Sequence, residues 1–184
     1  MSKKPAVVLL SGGLTSGSST NIALSVVAKA LEDSGCTTRL ISVGDHPLPL
    51  LGVGEEYPAA VEQLRDWVTA ADGLVVGSPE YHAAPSGALK NMIDYLRSED
   101  VSGKPTGLVA ICGSPKGGTN TLNSLRITFR SLHAPVLVEQ AICTSADFEG
   151  GRVAAPEALD YLHRVADGLV REIRHASAAL DNTA

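Results

Sequence analysis

Five short runs of apolar residues punctuate the chain: "PAVVLL" (5–10), "RLISV" (39–43), "GLVVG" (73–77), "PTGLVAIC" (105–112) and "PVLVEQAIC" (135–143). Runs of this length bounded by Gly, Pro and Ser read as strands buried on both faces. Between them apolar positions recur every three or four residues, which predicts helices over about 19–34, 59–71, 86–97, 120–132 and 156–180. In the last of these, Leu159, Leu162, Ala166, Leu169, Val170 and Ile173 fall on one stripe. A Pro/Gly-rich loop is expected from the second strand through Pro58, and a bend is allowed for in the fifth strand.

Strands that are apolar on both faces and alternate with helices predict a parallel sheet covered on both sides. Five such units make an open doubly wound α/β domain and fall short of an eight-fold barrel. At 184 residues, with no repeat, linker or low-complexity tract, residues 1–184 read as one domain. Ligands of such a sheet bind at the carboxyl ends of its strands. The loops after strands one, three and four are therefore where chemistry is expected, and those three loops have unusual composition.

Composition narrows the partners. The formal net charge is −5 and Lys and Arg form no cluster, so the basic face that nucleic acid requires is absent from the sequence. No apolar run is long enough to cross a bilayer, and no signal pattern precedes the first strand, which predicts a cytoplasmic protein. Cys36, Cys112 and Cys143 are scattered, odd in number and without a CxxC pair. They read as small buried hydrophobes in place of redox or metal groups.

The first loop, "SGGLTSGSST" (11–20), combines three glycines with six hydroxyls ahead of a helix. Glycines let backbone N–H groups turn inward, hydroxyls add donors, and the helix start is positive, so a monophosphate fits without a metal. A plain turn with a serine cap needs only one hydroxyl. The loop lacks the Gly-Lys-Ser/Thr of a nucleotide hydrolase and is not GxGxxG. In the third loop, Pro79 stiffens the strand end, and Glu80, Tyr81 and His82 are placed to meet a planar ring. Ser86 is the expected cap of the next helix. Lys90 and Asp94 read as a surface pair, and no GxSxG supports a hydrolase. The fourth loop, "CGSPKGGTNTL" (112–122), offers Ser114, Gly117, Gly118 and Thr119 to the edge of the same ligand, with a simple glycine turn as the alternative.

Together these loops resemble the NADPH-dependent FMN reductase family, a branch of the flavodoxin-like proteins. The resemblance rests on "SPEYHAAPSGALKNMIDYL" (78–96), with support from "SGGLTSGS" and "GSPKGG". It implies a flavodoxin-like three-layer α/β sandwich whose five parallel strands run in the order 2-1-3-4-5. It implies non-covalent FMN, with NADPH or NADH as co-substrate, and a homodimer or homotetramer. Ser11, Thr15, Ser18, Ser19, Thr20 and Asn21 would then serve the phosphate. Pro79, Glu80, Tyr81 and His82 would line the isoalloxazine, with Ser114, Gly117 and Gly118 at its other edge. Thr15 stands where many members have arginine, and His82 where the family pattern has asparagine. Free flavin, quinones, azo or nitro compounds and metal oxyanions such as chromate are the acceptors implied. A non-enzymatic flavin carrier or sensor is the alternative, and the chain's seven aromatic residues are few for a carrier that covers its flavin with rings. The apolar residues Met92, Tyr95 and Leu96 suggest that helix 86–97 has surface to spare for a subunit contact.

Overall fold

The computed structural model describes residues 4–53 and 58–181; positions 54–57 of the expected Pro/Gly-rich loop lie outside them. Strands β1 (Ala6–Ser11), β2 (Thr37–Ser42), β3 (Gly73–Tyr81), β5 (Thr106–Cys112) and β6 (Val136–Thr144) form one parallel sheet in the order β2-β1-β3-β5-β6. Counted along the chain, these are strands 2-1-3-4-5. A two-residue strand β4 (Ala84–Pro85) pairs antiparallel with the end of β3.

Side-chain alternation along the strands builds two cores. Val7, Leu9, Val75, Val109 and Ile111 face α1 (Ser19–Asp33) and α6 (Pro156–Asp181), where Leu24, Leu31, Leu162 and Leu169 meet them. Their neighbours Val8, Leu10, Leu74, Val76, Leu108 and Ala110 face α2 (Ala59–Thr69), α3 (Gly87–Asp94) and α5 (Thr119–Ser131). Successive residues are thus buried on opposite faces, which is why these strands appear as unbroken apolar runs. The α6 stripe packs as expected, with Leu159 at its half-buried margin.

Three local differences from the sequence expectation have physical causes. β3 continues four residues past Gly77, because its tip folds back into the hairpin with β4. The helix expected over 86–97 ends at Asp94, and a separate turn, α4 (Ser98–Val101), follows an extended Arg97. Buried Asp100 holds that break by accepting the Arg97 N–H at 2.8 Å and two bonds from Arg65 on α2. Met92, Tyr95 and Leu96 are buried within the chain, so they are not the spare surface they suggested. The fifth strand is irregular where a bend was allowed for: the β5–β6 register shifts by two residues, and Val138 within the shift is exposed.

Candidate active site

The first loop packs directly on the third. Gly12 donates its N–H to Gly77 O at 2.8 Å, and a Cβ there would lie 2.7 Å from Ser86 Oγ and 3.0 Å from Pro79 Cδ. Gly13 is equally constrained, since its Cβ would fall 2.1 Å from Ser18 Oγ. At both positions a side chain would displace a serine hydroxyl that caps a helix, Ser86 on α3 or Ser18 on α1, so close approach favours glycine. Ser18 caps α1 by accepting the Asn21 N–H at 3.2 Å.

The polar side chains of this loop divide into two groups. Ser11, Thr20 and Asn21 are buried. The Ser11 hydroxyl donates to Asn21 Oδ1 and accepts the Gly13 N–H at 3.1 Å, while Asn21 Nδ2 donates to Thr15 O at 2.8 Å. These groups brace the loop from beneath, and the hydroxyl expected on a phosphate at Ser11 is spent on Asn21. Thr15 and Ser16 are exposed, and Ser18 and Ser19 are half-buried. Ser16, not singled out in the sequence, joins the open set. The first N–H groups of α1 have no intrahelical acceptor and point the same way.

The third loop is a tight hairpin. Glu80 pairs with Pro85 and Tyr81 with Ala84, leaving His82 (φ 51°) and Ala83 (φ 61°) as the two turn residues. Two successive positive φ values define the type I′ turn, normally Asn-Gly. His82 tolerates this conformation better than most side chains, whereas Ala83 bears the strain. Tyr81 is 56 % exposed at the tip. Beneath it, Ser78 Oγ accepts the Ser86 N–H at 2.9 Å, and Ser86 caps α3 through the Leu89 N–H while donating to Gly12 O. Asn91 of the "LKN" stretch reaches sideways: it donates to Pro49 O at 2.7 Å and accepts the Leu51 N–H at 2.9 Å, fixing the loop after β2. Lys90 and Asp94 form the expected surface ion pair.

In the fourth loop Ser114 is exposed, and its carbonyl accepts the Gly117 N–H at 3.1 Å. Gly118 (φ 90°) is the N-cap residue of α5 and has no room for a side chain, since a Cβ would meet Ile142 at 2.6 Å. The Glu80 carboxylate, expected along a planar ring, crosses to this loop instead. Its Oε2 accepts the Gly118 N–H at 2.9 Å and the Thr121 hydroxyl at 2.8 Å. The Gly118 N–H, helped by Thr121 and opposed by partial burial, holds this carboxyl below its usual range. Thr121 has no prominence in the sequence.

Side-chain chemistry at this end of the sheet is otherwise sparse. Cys36, Cys112 and Cys143 are buried free thiols, each pushed up by burial, Cys143 to about 12, which suits inert core residues. Among the described residues no group of three His, Cys, Asp or Glu could hold a metal, and no helix is long and apolar enough to cross a membrane. The arrangement presents N–H groups and hydroxyls at the start of α1 and exposed backbone on the third and fourth loops, and among the described residues of these loops no acid–base pair is hydrogen-bonded.

The profile of the NADPH-dependent FMN reductase family matches residues 5–148. The chain belongs to this family. It is 39 % identical over 131 residues to an NADPH azoreductase of Bacillus sp. (strain OY1-2), covering 70 % of this chain and 72 % of the relative. Identity to a quinone reductase of Escherichia coli (strain K12) is 32 % over 156 residues, covering 82 % and 80 %. An oxidoreductase structure from Corynebacterium diphtheriae superposes with a TM-score of 0.78 at 24 % identity, over 95 % of this chain and 99 % of that one. An archaeal flavodoxin structure superposes with a TM-score of 0.67 at 12 % identity, over 92 % of this chain and 99 % of that one, so the fold is flavodoxin-like.

Proposed function

We propose that this protein is an FMN-dependent NAD(P)H oxidoreductase that delivers two electrons to a small acceptor. The observation that carries the reading is the meeting, at one end of the sheet, of a glycine–hydroxyl cradle with two stretches of exposed backbone. The cradle fits a monophosphate: Gly13 leaves no bulk in it, the α1 N–H groups open onto it, and Thr15, Ser16, Ser18 and Ser19 surround it with hydroxyls. These four side chains and the helix start would hold the FMN phosphate, and Ser11, Thr20 and Asn21 would keep the cradle in shape. The backbone of Pro79–His82 and of Ser114–Gly117 would flank the ring. Bound FMN supplies the hydride chemistry.

The protein's own contribution is to orient, to offer N–H donors where negative charge develops, and to leave one side open. Tyr81 is the aromatic side chain that stands exposed on these loops. Of the other aromatic side chains among the described residues, Trp67, Tyr95 and Phe129 pack elsewhere in the fold, half-buried Phe148 packs on the core under α1 and α6, and Tyr161 lies on α6. An uncovered ring suits stacking by a nicotinamide and then by a flat acceptor, which favours an enzyme over a carrier. Quinones and azo compounds are the acceptor classes favoured, since the relatives are named for them. A homo-oligomer belongs to this reading, with exposed Leu50 and Leu51, held beside α3 by Asn91, as its apolar contact surface. Soluble nicotinamide co-substrates and three free thiols support a cytoplasmic location within this reading.

Titration of purified protein with FMN, followed by NADPH oxidation assays with a benzoquinone and an azo dye, tests the function. Saturable FMN uptake and FMN-dependent NADPH oxidation are expected. A protein that takes up no FMN would overturn the proposal.

A further inference from the structure

Among the described residues, Glu80 is the one acid at the carboxyl end of the sheet whose bonds join two of the loops that would enclose the flavin. It leaves β3 at the start of the hairpin, and both its bonds end on α5, one at the N-cap N–H of Gly118 and the other at the hydroxyl of Thr121, the third residue of the helix. Gly118 has no side chain with which to cap α5. A carboxylate from a different strand therefore does the work that a Ser or Asp at position 118 would ordinarily do. Position 118 is closed to such a residue by its positive φ and by Ile142. The neighbouring turn is shaped around the same carboxylate, since a Cβ on Gly117 would lie 2.7 Å from Glu80 Oε1 and 2.8 Å from Cys112 Cβ.

We propose that Glu80 is a positioning residue that sets the spacing between the hairpin wall (79–82) and the glycine wall (114–118) of the flavin site, and that it does so by capping α5 across the gap. The proposal rests on the FMN reading above. It assigns no contact between the carboxylate and the ring. Both hydrogen bonds converge on one oxygen, Oε2, so a glutamine carbonyl can accept both, whereas alanine leaves the Gly118 N–H and the buried Thr121 hydroxyl without their acceptor.

The test compares wild type, Glu80→Gln, Glu80→Ala and Thr121→Val by FMN titration and by amide hydrogen exchange at Gly118 and Thr121. Glu80→Ala is expected to weaken FMN binding by about tenfold or more and to speed exchange at both amides. Glu80→Gln should restore both toward wild type. Thr121→Val keeps the side-chain shape of this buried site, so it is expected to fold and to weaken FMN by a smaller factor. Unchanged FMN affinity in Glu80→Ala, with the amides exposed to exchange, would reduce Glu80 to a helix cap and overturn the proposal. Glu80→Gln binding as weakly as Glu80→Ala while its amides stay protected would mean that the charge itself meets the ligand, which also overturns it. If wild type fails to take up FMN, the proposed function falls, and this inference with it.

Discussion

Asp100 and Glu80 are two acids of the same fold that solve burial in different ways. Asp100 lies behind the sheet, where Arg65 contributes two bonds, Thr69 a third at 3.1 Å and the Arg97 N–H a fourth. Burial pushes its carboxyl up, yet Arg65 and the other donors together leave it below its usual range. Glu80 lies at the carboxyl end of the sheet and is satisfied by neutral donors alone, a backbone N–H and a hydroxyl on α5. The difference separates two tasks. A guanidinium fork locks a helix break away from the carboxyl end of the sheet. Neutral donors fixed to a helix start instead set the distance between two loops and leave no competing cation beside an anionic ligand.

The largest effect is expected at Asp100. Replacing it by alanine leaves Arg65, Thr69 and the Arg97 N–H unpaired, and a stability loss of about 2–4 kcal/mol is expected in urea denaturation. FMN affinity of the folded fraction should not change. An equal loss of FMN affinity would show that the two regions are not independent.

Acid sharpens the contrast. Both carboxyls have depressed values in the folded protein, so their contributions are complete above the ordinary carboxylate pKa of about 4 and disappear as pH falls through the folded values. The unfolding free energy is expected to be level from neutrality to about pH 5 and to fall steeply below about pH 4. Glu80→Gln should remove only part of that acid limb, because Asp100 remains.

Smaller effects are expected at the cradle and the hairpin. Ser18→Ala removes the α1 cap and should lower stability by about 1 kcal/mol, while also removing a hydroxyl from the phosphate cradle, measurable in the FMN titration. Ala83→Gly relieves a positive φ in the I′ turn and is expected to raise stability by up to about 1 kcal/mol in thermal melts. A destabilising Ala83→Gly would mean that the hairpin's strain is compensated by contacts of the Ala83 methyl group.

The parts of the fold that sequence patterns revealed are those whose causes are local. β1, β3 and β5 are legible because successive residues such as Leu74 and Val75 are each buried on opposite faces. The hairpin at 80–85 is not, because His82-Ala83 replaces the Asn-Gly that usually marks such a turn. The end of α3 is hidden for a different reason: Asp100 fixes it through Arg65 and Thr69, more than thirty residues upstream. At the site, glycine and hydroxyl content singled out the first loop, which the structure packs against the third, but could not say which hydroxyls open outward. That depends on Ser11 pointing down from the strand end onto Asn21. Asn91 carried a usable signal, a polar residue among Leu89, Met92 and Ile93, whereas Thr121 did not, because its role depends on Glu80 reaching across from β3.

The proposed function requires this end of the sheet to bind FMN and to expose it to a nicotinamide. The most direct measurement is the visible spectrum of the FMN-loaded protein under anaerobic conditions as stoichiometric NADPH is added. Rapid loss of the oxidised flavin absorbance, restored on adding a benzoquinone, is the predicted result. Bound flavin whose spectrum is unmoved by NADPH or NADH would contradict the account, because the open face would then serve no hydride donor.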